Sequence, residues 1–382
     1  MLSYNRWVEV DLDILAANYH AMREFLPHQT AIMAVVKNNA YGHGAVETAK
    51  LFQAEGVAML AVTTLDEGVE LRLAGIEIPI LVFAPVLKDE ADAFFKWDLT
   101  PSIGNTEGLF ALAETAGSRQ INCHLKVNTG MSRMGIEPNH AAELVDTATR
   151  FENIHITAVY SHFATALEAD LNFAKKQLAV FRHVQEDIRA LGGKELVYHI
   201  CNSAVALRLP EARLQMVRLG SVLYGQCSFA EEFGLNIQNP WQVKAKVVAV
   251  RDLAAGQSVG YGRDFTAAKP MRIAILPIGY GDGFGADINA RPITINSAIR
   301  TMARSVGKVA LNKGMRGVYF GNIFLPVVGR IAMQATAIDI TGTEIALGDI
   351  VNIPMRRTTA SPRLPHLYIR GGQSIKAVSV CE

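Results

Sequence analysis

The sequence predicts an α/β protein of two domains, an N-terminal (β/α)8 TIM-like barrel over residues 1–235 and a mostly-β domain over residues 236–382. Three observations carry that prediction. The chain has 382 residues, more than one average domain needs to build its core. Apolar runs of strand length alternate with helix-period stretches as far as about residue 225. Past Asn236 and the Asn239-Pro240 pair the alternation stops, and short β-rich runs separated by Gly, Pro, Asn and Asp take over.

In chain order, Leu12, Leu15, Tyr19, Met22 and Leu26 mark one face of an opening helix. Asp11 and Asp13 sit at its start, where a helix favours negative charge. The run from Ala31 to Val36 is apolar throughout, as a strand buried on both faces requires. Further strands are expected at Met59 to Val62, Ile78 to Phe83, Leu99 to Ile103, Ile121 to Val127, Ile154 to Tyr160, Leu196 to Ile200 and Met216 to Leu219. Helical stretches separate them, the longest from about Leu167 to Leu191. About eight strands in roughly 220 residues fit a closed parallel barrel. A doubly wound sheet would alternate in the same way, although no Gly-x-Gly-x-x-Gly turn follows the first of these strands. In the second domain the β-rich runs are Val243 to Val250, Arg272 to Pro277, Ile323 to Val328, Ala335 to Ile340 and Ile350 to Ile353.

Composition narrows the function. Half of the residues are hydrophobic and 19% are charged, the balance of a globular chain with a large core. The formal net charge of +1 supplies no electrostatic basis for binding nucleic acid or a membrane surface. Cys123, Cys201, Cys227 and Cys381 have neither metal-ligand nor disulfide-framework spacing, so no metal is expected and a reducing compartment suits them. The chain opens without an apolar leader and no run is long enough to span a bilayer; the expected location is the cytoplasm.

The chemistry concentrates in Ala34-Val35-Val36-Lys37-Asn38-Asn39-Ala40-Tyr41-Gly42-His43-Gly44. A lysine at the tip of a buried strand is easily desolvated, which lowers its pKa and readies it for Schiff-base chemistry. Taken alone, such a lysine is equally a solvated surface charge. In a barrel, however, chemistry sits at the carboxyl ends of the strands, and unusual polar residues recur there. Lys126, Asn128 and Arg133 follow one strand, Ser161 and His162 another, His199, Asn202 and Ser203 a third, and Arg218 ends the last. Each has a bland reading as a core histidine or a capping residue. Their convergence on one rim suits an anionic, phosphate-bearing ligand.

The lysine stretch resembles the pyridoxal-phosphate motif AVVKANAYGHG of bacterial alanine racemases, with Asn38 in place of an alanine. Lys126-Val127-Asn128-Thr129-Gly130-Met131-Ser132-Arg133-Met134-Gly135 resembles the family's KVDTGMGRLG, and His199-Ile200-Cys201-Asn202-Ser203-Ala204 its H-x-A-N-S-A. The segments Ser161 to Ala166, Val217 to Gly225, Val259 to Arg263, Ile278 to Gly283 and Val328 to Met333 are similar to further family motifs, in the family's order. The resemblance covers nearly the whole chain and implies a pyridoxal 5'-phosphate-dependent amino-acid racemase acting as a head-to-tail homodimer.

It also implies roles. Lys37 carries the cofactor and moves the α-proton on one face, and Tyr261, from the partner subunit, is the base on the other. Two bases are what inversion requires, since one tends to return the proton to the side it came from. Tyr41, Ser203 and the amides near Gly220 and Ser221 hold the phosphate, while Arg218 lies beside the pyridine nitrogen. His162 packs on the ring; His199 and Asn202 complete the cofactor site; Arg133, Tyr280 and Met333 meet the substrate. A lysine matching Lys126 is often carbamylated in this family, giving an anion that orients the arginine.

Departures fall around the entrance and the side-chain pocket. Leu167, Gln334 and Asn128 each replace a family aspartate, and the segment before Arg363 is short. These changes leave two substrate readings open, alanine itself or a larger, polar or acidic amino acid. A non-catalytic pyridoxal-phosphate carrier is the reading from another class, but such carriers generally lack the second domain and its Tyr261.

Overall fold

The computed structural model describes residues 4–192, 195–286 and 316–378. The chain divides into two compact units, Leu12–Pro240, and Met1–Asp11 together with Trp241–Glu382. Within the first unit eight strands make one sheet: β1 (Ala31–Val35), β2 (Met59–Val62), β3 (Ile80–Pro85), β4 (Thr100–Ile103), β5 (Ile121–Lys126), β6 (Ile154–Tyr160), β7 (Val197–His199) and β8 (Met216–Leu219). Their order is β7-β6-β5-β4-β3-β2-β1-β8, and every adjacent pair is parallel. Parallel neighbours need a crossover between them, which is why helices separate the strands in sequence. Across the remaining seam the Arg218 amide donates to the Cys201 carbonyl at 3.1 Å, leaving a nearly closed barrel. Met33, Val35, Met59, Ala61, Leu81, Tyr160 and Met216 pack together as one buried cluster. Side chains filling the interior make it a core and not a pore.

The opening helix, Leu12–Phe25, buries Leu12, Leu15, Tyr19 and Met22, the face read from the sequence. It also buries Asn18. The Asn18 amide donates to the carbonyls of Leu223 (3.0 Å) and Gln238 (2.8 Å), and its oxygen accepts the Gln238 amide at 2.9 Å. Replacing Asn18 by alanine strands the buried Leu223 carbonyl and frees the Gln238 backbone to solvent, so we expect a loss of about 1–2 kcal/mol. A urea midpoint shift at unchanged m-value measures it.

Two expectations need correction. The long helix begins at Asn172 and not near Leu167, because the Asp170 side chain accepts the Asn172 amide at 2.7 Å and forms a turn there. Strand Arg6–Asp11 belongs with the C-terminal unit, against the placement of residues 1–235 in the barrel domain. Strand Arg6–Asp11 pairs antiparallel with Trp241–Lys246 and parallel with His366–Arg370. Partners so remote leave no trace in a local sequence pattern.

The second unit is mostly β. Its ten-stranded sheet runs in the order Ala249–Leu253, Met271–Leu276, Thr336–Asp339, Ile323–Val328, Gly317–Phe320, Ile350–Ile353, Trp241–Lys246, Arg6–Asp11, His366–Arg370 and Gln373–Val378. The turn Tyr280–Asp282 is fixed from three directions. Asp282 pairs with Arg6 at 3.0 Å and accepts the Gly279 amide at 3.1 Å, while the Ser361 amide donates to its carbonyl at 3.0 Å. The amides of Tyr280 and Gly281 donate to the carbonyls of Ala332 (3.0 Å) and Met333 (2.9 Å), so Tyr280 and Met333 sit side by side. Cys381 lies outside the described residues, and no described helix is long and apolar enough to cross a membrane.

Candidate active site

The barrel unit holds a cavity of about 350 Å³ at the carboxyl ends of its strands. Lys37, Lys126, Arg133 and Arg218 line it together with Tyr41, His162, Asn202, Ser203, Gly220 and Ser221, and among the described residues no carboxylate does. Four basic side chains lining one cavity suit an anionic ligand.

Lys37 directly follows β1, where the chain makes an unusual turn. Asn38, Asn39, Ala40 and Tyr41 all have positive φ, from 51° to 55°, with ψ from 31° to 55°. This is one turn of left-handed helix, costing roughly 1–2 kcal/mol per residue for side chains other than glycine. Asparagine tolerates it best, which accounts for Asn38 and Asn39 but not for Ala40 or Tyr41. The surroundings therefore hold the turn. The Asn39 oxygen accepts the Ala45 amide at 2.7 Å, the Ala40 amide donates to Val36 at 2.8 Å, and the Tyr41 ring packs on Tyr224 at 4.8 Å. Burial, then the charge of Arg133, pushes the Lys37 amine below the usual lysine value.

The turn carries Tyr41 against Gly220. A Cβ at position 220 would lie 2.5 Å from the Tyr41 hydroxyl oxygen, so that approach demands glycine. Ser203 accepts the amides of Gly220 (2.9 Å) and Val222 (3.4 Å) on its hydroxyl oxygen, which leaves its proton to donate. Asn202 caps the helix Ser203–Arg208 by accepting the Val205 amide at 3.1 Å. The Tyr41 and Ser203 hydroxyls thus lie together at one end of the cavity, beside Gly220 and Ser221.

Arg218 is the most constrained cation. It is buried, donates to the carbonyls of Ser161 (2.6 Å), His199 (3.2 Å) and Ile200 (3.2 Å), and lies over the Tyr160 ring. It also donates to Nδ1 of His199 (2.9 Å) and of His162 (3.1 Å). Both histidines thus accept at Nδ1 and are neutral; burial and then the Arg218 charge push His162 down to about 3. His199 accordingly carries its proton on Nε2 and donates it to His124 Nδ1 at 3.2 Å. His199 is fully buried beneath Arg218 and does not line the cavity, whereas His162 does.

Arg133 is exposed on a tight loop after β5. The Asn128 amide donates to Ile136 at 2.8 Å and the Ile136 amide to Lys126 at 2.9 Å, closing the loop's base. The Asn128 side chain accepts the amides of Gly130 (3.2 Å) and Ser132 (2.9 Å) and donates to Glu137 at 2.8 Å. An aspartate here would repel Glu137, so the asparagine matches this chain's own neighbour. Leu167, another departure, borders the cavity and is 77% exposed. Lys126 is buried, and desolvation followed by the charges of Arg133, Arg218 and Lys37 brings its pKa to about 8.

Two residues that the motifs did not single out support this site. Buried Gln177 accepts the Ala164 amide at 2.9 Å and donates to the His162 carbonyl (3.1 Å) and the Thr129 hydroxyl (3.3 Å), joining two rim loops. Glu67 reaches across from the helix after β2 to the lysine turn. Its signal is legible in sequence as the capping box Thr64-x-x-Glu67. Tyr261, Tyr280 and Met333 lie in the other unit and are exposed there, at 71%, 55% and 59%. Among the described residues no His, Cys, Asp and Glu gather into a metal-binding group.

Comparison with known proteins agrees with this geometry. Residues 10–228 match the alanine racemase N-terminal domain and residues 241–364 the alanine racemase C-terminal domain. The alanine racemase of Methanococcus maripaludis is 34% identical over 360 residues, 92% of this chain and 90% of the relative, and that of a Nostoc species is 33% identical over 358 residues. Among solved structures, the alanine racemase of Clostridium difficile 630 superposes with a TM-score of 0.86 at 26% identity, covering 99% of both chains. The Bacillus anthracis alanine racemase with bound L-Ala-P gives 0.83 at 27% identity, covering 100% of this chain and 99% of that one. With both halves matched across the barrel and the β-rich unit, the chain belongs to the alanine racemase family.

Proposed function

We propose that this protein is a pyridoxal 5'-phosphate-dependent amino-acid racemase, working in the cytoplasm as a head-to-tail homodimer with two bases, Lys37 and Tyr261 of the partner subunit. The observation that carries it is the half-buried Lys37, opening into a cavity lined by four basic side chains and, among the described residues, no carboxylate. The residues present fit the cofactor: Tyr41, Ser203 and the Gly220–Ser221 backbone for the phosphate, Arg218 beside the pyridine nitrogen, and His162 against the ring.

When bound, pyridoxal 5'-phosphate supplies the electron sink that makes the α-proton of an amino acid acidic. Lys37 holds the cofactor through its amine and moves the proton on one face. Tyr261 moves it on the other. Arg218, a guanidinium locked by several acceptors, would hold the pyridine end of the cofactor as a donor that does not give up its proton, which would limit side reactions such as transamination. Arg133 meets the substrate carboxylate, with Tyr280 and Met333 of the partner subunit closing the substrate end. Lys126, with a pKa lowered to about 8, has a fraction of uncharged amine near neutral pH that can add carbon dioxide with release of a proton to solvent, giving a carbamate anion that would orient Arg133. Tyr261, Tyr280 and Met333 are exposed on their own unit, as residues that enter a partner's site would have to be.

The test is solvent deuterium incorporation at the α-carbon of each L- and D-amino acid, followed by kcat/KM in both directions. We expect incorporation with inversion, and a side chain larger or more polar than methyl favoured over alanine. One pocket contact is worth about ten- to two-hundredfold in specificity, and Leu167 at the cavity border is the change best placed to provide it. A clear preference for alanine would assign the departures to drift and leave the racemase reading standing. Failure to incorporate deuterium into any amino acid would favour the carrier reading instead.

A further inference from the structure

Resting on the racemase reading, we propose that Glu67 is a positioning residue, whose carboxylate locks the left-handed turn that aims Lys37 and Tyr41 into the cavity. The turn places Lys37 at its entry and Tyr41 at its exit, and its positive φ values run without a break from Asn38 to Tyr41. Such a backbone persists only where its neighbours over-determine it. Most of the bonds holding it come from the same stretch of chain: Ala40 to Val36, Gly44 to Asn39, and His43 Nδ1 to the Ala40 carbonyl. The first residue of the turn is held differently. The Asn38 amide donates to Glu67 Oε1 at 2.5 Å, across 29 residues and from a different strand–helix unit.

The other carboxylate oxygen is anchored at its own end. Glu67 Oε2 accepts the amides of Thr63 (2.7 Å) and Thr64 (3.2 Å), and the Glu67 amide donates to the Thr64 hydroxyl at 3.4 Å. This capping box ties the carboxylate to the start of the helix Leu65–Leu73, so that one oxygen serves the helix and the other the lysine turn. Hydrogen bonds to an ionised acceptor are shorter and stronger than neutral ones. A carboxylate fixed this way can hold a strained amide in place without mobility of its own. Its charge also lies near Lys37, opposing the downward push of burial and Arg133 on the amine, and Glu70 shares the same field.

The division between the two oxygens makes the proposal testable. Thr64→Ala weakens the capping box and leaves the Asn38 bond intact, whereas Glu67→Ala removes both, and Glu67→Gln keeps one acceptor oxygen. The first measurement needs no cofactor: amide hydrogen exchange in the full-length apoprotein over the peptide spanning Lys37 to Gly44. We expect roughly ten- to hundredfold faster exchange there in Glu67→Ala, from loss of one charge-assisted bond, and wild-type exchange in Thr64→Ala. The second is the rate of borohydride-fixed incorporation of pyridoxal 5'-phosphate at Lys37, with kcat and KM for racemisation. Fixation and kcat should fall together at least tenfold in Glu67→Ala, with amino-acid KM within about threefold of wild type, and Glu67→Gln should recover part of both.

Exchange and fixation equal to wild type in Glu67→Ala would overturn the proposal, as would the same losses in Thr64→Ala, which would assign them to helix stability. If Glu67→Ala does not fold, Glu67→Leu, of similar volume and with no acceptor oxygen, takes its place: unchanged exchange at the turn with lowered thermal stability also overturns the proposal. Wild-type protein that fixes no cofactor at Lys37 would instead defeat the racemase reading, an outcome separate from all of these.

Discussion

Replacing Lys37 with alanine is expected to remove racemisation, a fall of at least about a thousandfold. Acid–base transfer by a positioned side chain contributes roughly 10²–10⁴, and removing a residue with a second, covalent role costs more. The wild-type protein treated with borohydride should yield one labelled peptide, the one containing Lys37; a labelled peptide without it would sink the assignment. The rate of labelling follows from the site. Burial and Arg133 hold the amine below the ordinary lysine value, so at pH 8 a larger share of it is uncharged than in free lysine. Fixation in the apoprotein should therefore outpace that of a lysine peptide at the same pH. The Lys37→Ala chain should still bind the cofactor non-covalently, because Tyr41, Ser203 and Arg218 are untouched.

Tyr261→Phe removes one base and keeps the ring, and a loss of about 10²–10⁴ in kcat is expected. The more telling experiment mixes the two variants. When a Lys37→Ala chain and a Tyr261→Phe chain are co-expressed, a shared-site heterodimer contains one site lacking both bases and one with both intact. Purified mixed dimers should regain up to about half of the wild-type activity, far above either parent. Mixed dimers as inactive as the parents, with both chains folded and dimeric, would show that each chain builds its site from its own Tyr261.

Much of the candidate site is legible because its chemistry sits in contiguous stretches. Lys37 and Tyr41 lie four residues apart, and Lys126 and Arg133 span one loop, so motif spacing brings them together before any fold is known. The roles of Glu67, Gln177 and His124 escape because each meets a group outside its own local pattern, even where, as in the Glu67 capping box, part of its signal is local. Glu67 meets the Asn38 amide from 29 residues away, and His124 meets His199 from 75. No local pattern encodes such distances. His199 shows the opposite failure: its motif points to the cofactor, yet the structure sets it beneath Arg218, where it presents a lone pair to the guanidinium. A residue can be fixed by a site without facing it.

The sequence alone determined most of the barrel strands, since apolar runs such as Ala31–Val35 and Met59–Val62 call for burial on both faces. It also determined the rim, because parallel strands put every carboxyl end on the same side. Tertiary structure decided what local pattern cannot carry. Strand Arg6–Asp11 joins the C-terminal sheet because its amides find partners in Trp241–Lys246 and His366–Arg370. The backbone after Lys37 turns left-handed although Ala40 and Tyr41 disfavour it, because Glu67, Tyr224 and the Asn39 side chain outweigh the local preference. Propensity acts over a few residues, while these contacts act over the whole fold, and where the two conflict the packed state wins.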